Sequence, residues 1–148
     1  MKWFKFLIYF SLFFGAIINI IFGLNYLTGG IYFVQSNGVT TANFVYSFFG
    51  NGLKTLDMIF GILMVGVGVF SIYTRFRLSN YKINGPLCVY ILYGVSPVLT
   101  LFYNIGVGAI TGISGVVSVG SFASIVVACV LIFANYRYFT KRKGFFVN

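Results

Sequence analysis

From Trp3 to Leu27 the chain reads WFKFLIYFSLFFGAIINIIFGLNYL, and Lys5 is the only charge in it. A hydrocarbon core about 30 Å thick takes roughly 20 helical residues to cross, so this run is long enough to span one. Three further runs share its character, at about 56–73 (LDMIFGILMVGVGVFSIY), 87–109 and 116–136. None alternates apolar and polar residues at period two, which sets aside the strands of a membrane barrel. Backbone amides in lipid find partners only within their own segment, so each run is expected to be a helix. The balance of residues agrees. Hydrophobic side chains make up 59% of 148 residues and charged ones 7%, with a mean hydropathy of +0.98, whereas a soluble domain carries about a quarter charged residues. The expected fold is all-α: one integral membrane domain over 1–148, with transmembrane helices at about 3–27, 56–73, 87–109 and 116–136. An outer loop would occupy 28–55, a basic loop 74–86 and a basic tail 137–148.

The charges set the threading. Lys2 and Lys5 precede the first run, Arg75, Arg77 and Lys82 stand between the second and third, and Arg137, Lys141, Arg142 and Lys143 follow the fourth. An even number of crossings brings these clusters to one side and leaves Lys54 alone on the other. The positive-inside rule then puts both termini and the YTRFRLSNYKINGP segment in the cytoplasm, in a multi-pass protein of the plasma membrane. A net charge of +9 in a soluble chain would point to nucleic acid. Here no basic helix or basic-aromatic surface lies outside the lipid-facing runs, so the expected partner is a bilayer with an anionic inner leaflet. MKWFKFLIYFSLFFGA also has the charged start and apolar stretch of a cleaved signal, but the run continues through IINIIFGLNYL with no small-residue cleavage site.

Chemistry has few residues to work with. The chain has no His and a single acid, Asp57, so no acid–base constellation forms and an enzyme is not expected. Cys88 and Cys129 have no His to activate a thiolate, no C-x-x-C and no metal-ligand spacing, so neither metal nor cofactor is expected. Asp57 reads as a first-turn residue serving the helix dipole beside Lys54, and Asn25–Tyr26 and Tyr103–Asn104 read as interface residues near helix ends. Within the helices, Ser11, Gly15, Asn19 and Gly23 recur every four residues, as do Gly120, Ser124 and Ala128. Such faces suit close helix packing, with Asn19 bonding to the fourth helix or to a second copy. Pro86 opens the third helix, and Pro97 lies inside it, where it should kink it and free a carbonyl. Between the first two helices, SNG suits a small hairpin, while ANFVYSFFGNGL suits a short helix in the interface; the residues leave both open.

The tail NYRYFTKRKGFFVN and the segment RFRLSNYKINGP resemble those of small four-helix membrane proteins of low-GC Gram-positive gut bacteria. That resemblance implies a habitat and a topology and no particular activity. The expected function is a non-catalytic accessory, interaction or immunity-type membrane protein, with a membrane-protein partner or a homo-oligomer. The alternative is a small oligomeric transporter or channel. The scarcity of ionisable groups inside the helices favours the first.

Overall fold

The computed structural model describes the backbone of residues 2–32, 35–36, 39–112 and 119–146, with side chains at all of these except 35–36, 39–40 and 119–121. Five helices follow in order: α1 Lys2–Thr28, α2 Thr41–Phe49, α3 Asn51–Ser79, α4 Gly85–Thr111 and α5 Val119–Thr140. All except α2 are long and apolar enough to cross a membrane, α5 over Phe122–Thr140. Between α1 and α2, Gln35–Ser36 pairs antiparallel with Val39–Thr40, Gln35 opposite Thr40. Elements of both kinds therefore occur in this connection, a small ladder running directly into a short helix. The Asn37–Gly38 pair and residues 113–115 of the expected TGISG turn lie outside the described residues.

Helix α3 is longer than the apolar run that announces it. It begins at Asn51, just after Gly50 turns the chain at φ 79, and runs to Ser79. Arg75 and Arg77 are thus helical, because nothing in TRFRLS breaks a helix and α3 simply continues past the apolar run. It ends in a Schellman closure: Tyr81 N–H donates to Leu78 O at 3.1 Å and Lys82 N–H to Arg77 O at 3.0 Å. Tyr81 sits at φ 52, where glycine is usual. Its ring stacks on Phe4 at 5.3 Å and leans on Phe146 at 5.9 Å, contacts that offset the backbone strain.

The same ring cluster gathers one end of the bundle. Phe4 of α1, Tyr81 of the α3–α4 turn, Phe139 of α5 and Phe146 of the tail meet there. Trp3 Nε1 donates to Asn135 Oδ1 at 3.2 Å, and the Arg75 guanidinium lies over the Phe13 and Tyr9 rings at 5.2 and 5.9 Å. Every cation except Lys54 belongs to the segments joined here, so the bundle has a basic end. Lys54 stands at the other end, near the start of α3.

Helices pack in sequence, α1 on α3, α3 on α4 and α4 on α5. The tightest contact is the antiparallel α1–α3 seam. A Cβ on Gly23 would stand 2.7 Å from the Gly61 carbonyl oxygen, and one on Gly68 would stand 3.0 Å from that of Ala16. Residues 16 and 23 are seven apart, as are 61 and 68, the spacing that keeps one seam facing its partner. Inside α1, Leu7–Ser11 forms a π turn, closed by Leu12 N–H bonding to Leu7 O.

Candidate functional site

Two places in the bundle concentrate polar atoms. The first surrounds Asp57. With α3 starting at Asn51, Asp57 lies in its second turn rather than its first, and its side chain is 0% exposed. It shares the inward face of α3 with Leu53, Phe60 and Met64, all buried. Its oxygens accept from Tyr103 Oη of α4 at 2.7 Å and Tyr46 Oη of α2 at 2.9 Å. These tyrosines, not the exposed Lys54, are the partners the structure gives it. The expected first-turn role beside Lys54 is thereby corrected: depth along the helix, not helix polarity, decides what Asp57 meets.

Aromatic rings close the surroundings. Phe60 stacks on Tyr103 at 4.3 Å, and Tyr26 of α1 sets its ring edge-on to Tyr103 at 5.1 Å and to Phe60 at 4.8 Å. Tyr32 meets Tyr46 edge-on at 5.6 Å. Tyr26 and Tyr103, read from sequence as interface residues, bring α1 and α4 to the carboxyl group of α3, and Tyr46 adds α2. Burial first, then the nearby Asp57 carboxyl, push the Tyr32 hydroxyl up to about 12. Burial and the hydrogen bond to Asp57 raise Tyr46 as well. Both phenols hold their protons, so both remain donors. The arrangement is a clamp: it fastens α2 to the bundle.

The second place is a cavity of about 200 Å³ among α1, α3, α4 and α5, nearer the basic end. Ser11, Asn19, Ser71, Tyr93 and Ser96 supply its polar wall. Ser11 Oγ and Tyr93 Oη are 2.8 Å apart, and Ser71 Oγ donates to Leu12 O at 2.9 Å. Among the described residues, no hydrogen bond is made by the Asn19 carboxamide or the Ser96 hydroxyl. Pro97, also on the wall, has no N–H for the Tyr93 carbonyl one turn earlier.

The small-residue stripe divides between these surroundings. Gly23 is in the tight seam, while Ser11, Gly15 and Asn19 face the cavity, and nothing lies within 4 Å of where a Gly15 Cβ would stand. On α5, Ala128 reaches the cavity and Ser124 is half-buried, whereas the surroundings of Gly120 lie outside the described residues. The bond expected from Asn19 to α5 is not among the described contacts, because α1 closes on α3 and α5 stands off across the cavity. Cys88 is buried and Cys129 exposed, both free. No cluster of metal-ligating side chains occurs among the described residues.

The class this fold defines is a helical bundle with four helices long and apolar enough to cross a membrane, hence a multi-pass membrane protein. Compared with protein-family descriptions, curated proteins and solved structures, the chain matches none.

Proposed function

We propose that the chain is a non-catalytic accessory, interaction or immunity-type protein of a bacterial cytoplasmic membrane, threaded with both termini in the cytoplasm. The observation that carries this reading is the use made of Asp57. Both of its oxygens are committed to tyrosine hydroxyls that pin α2 against the bundle. A carboxyl that moved ions or protons would need room and a path, whereas this one fixes a shape. The pinned α2 turns Phe44 and Phe48 outward, 64% and 74% exposed, as an aromatic face at the end opposite the basic clusters. Threading with the basic end inside rests on the gathering of every cation but Lys54 at that end, beside an anionic leaflet.

The alternative, a small oligomeric transporter or channel, draws support from the cavity within the apolar span, whose wall carries several polar side chains. Crosslinking in intact cells, followed by purification in mild detergent, separates the two. The first reading expects a distinct membrane protein in fixed ratio to the chain. Recovery of copies of the chain alone would favour the second.

A further inference from the structure

We propose that the cavity among α1, α3, α4 and α5 is a binding site for one small, uncharged, hydrogen-bonding molecule of the polyol or primary-amide class. The inference goes beyond both functional readings. In an interaction protein the bound molecule would be a structural group, and in a transporter it would be cargo.

Size comes first. A volume of about 200 Å³ has room for several waters or for one compact organic molecule. The wall then selects by chemistry. Ser11, Tyr93 and Ser71 already bond within the protein. What remains is the Asn19 carboxamide, with two donors and an acceptor, and the Ser96 hydroxyl. In hydrocarbon such groups are costly unless something polar meets them. The complement must both donate and accept, which hydroxyls and primary amides do.

Charge is excluded by the same wall. None of the side chains lining the cavity is Lys, Arg, Asp or Glu, so an ion would enter a low-dielectric space without a counter-charge. Leu12, Leu92 and Leu131 form the apolar part, suited to the carbon skeleton of such a molecule. Gly15 keeps the space open, since a side chain there would project into it without meeting protein atoms.

Glycerol is the probe, with the full chain in lipid nanodiscs and methyl-labelled leucines observed by NMR. Saturable glycerol contacts are expected at the Leu12, Leu92 and Leu131 methyls. Gly15→Leu, which fills the cavity, is expected to abolish them. Asn19→Leu, which keeps the volume and removes the amide, is expected to weaken the apparent Kd about tenfold, the worth of one hydrogen bond. The second variant serves if the first fails to fold. Contacts from water alone, or glycerol contacts unchanged in both variants, would overturn the proposal.

Discussion

A carboxyl group inside an apolar bundle is tolerable only where donors reach it, and Asp57 has two of them in Tyr46 and Tyr103. Asp57→Leu leaves both hydroxyls without an acceptor and is expected to cost about 2–4 kcal/mol of stability in detergent unfolding. Tyr46→Phe removes one bond, costing about 1 kcal/mol, and should selectively speed hydrogen exchange across Thr41–Phe49. Recovery of wild-type exchange in Tyr46→Phe would mean that α2 is held by its other contacts. Alkali acts on the same groups. Tyr32 and Tyr46 titrate higher folded than unfolded, so their contribution is complete below the unfolded value near 10 and is lost as pH rises through about 12. Unfolding midpoints should therefore fall from pH 10 upward, with a shallower fall in Tyr46→Phe. The sequence made Asp57 conspicuous as the lone acid. Its depth was hidden, because placing the helix start at the first apolar residue, 56, made a second-turn residue look like a first-turn one.

At the level of elements, the α1–α3 seam carries the clearest test. Gly23→Ala drives a methyl against the Gly61 carbonyl, and backbone cannot yield as a side-chain end can, so a loss of about 1–3 kcal/mol is expected. Gly15→Ala enters open space and should change stability by no more than about 0.5 kcal/mol. Comparing the two by thermal unfolding in detergent checks the seam, and equal losses would contradict it. The four long helices were readable because lipid demands unbroken apolar length, a signal that needs no neighbour. Their partners were not. A four-residue stripe from Ser11 to Gly23 drew the eye, yet the seam follows the seven-residue spacing of Ala16 and Gly23 against Gly61 and Gly68 in GILMVGVG. The ladder and α2 were each legible in local residue types, but the bond from Tyr46 to Asp57 that fastens α2 was not, because it joins two different helices.

For the whole molecule, the gathering of the basic segments gives a test of threading. A reporter active only in the cytoplasm, fused after Asn148 or inserted at Asn80–Asn84, should give signal, and one inserted between Asn37 and Gly38 should be silent. Signal from the last position would reverse the orientation. The clusters were legible as charge. The ring cluster that ties them together was not, because Phe4, Tyr81, Phe139 and Phe146 are far apart in the chain and no single window contains them. Their meeting depends on the π turn at Leu7–Ser11. One residue beyond an ordinary turn advances a helix by about 100°, so this turn works as a phase offset between two halves of α1. Beyond it, Ala16 and Gly23 keep step with α3; before it, Phe4 is rotated towards the α3–α4 turn and the tail. Inserting one residue into the ordinary helix between Leu12 and Gly15 would add an uncompensated step of the same size, leaving the seam intact while swinging the first turns of α1 away from Tyr81 and Phe146, so that the basic end would come apart while the rest of the bundle held.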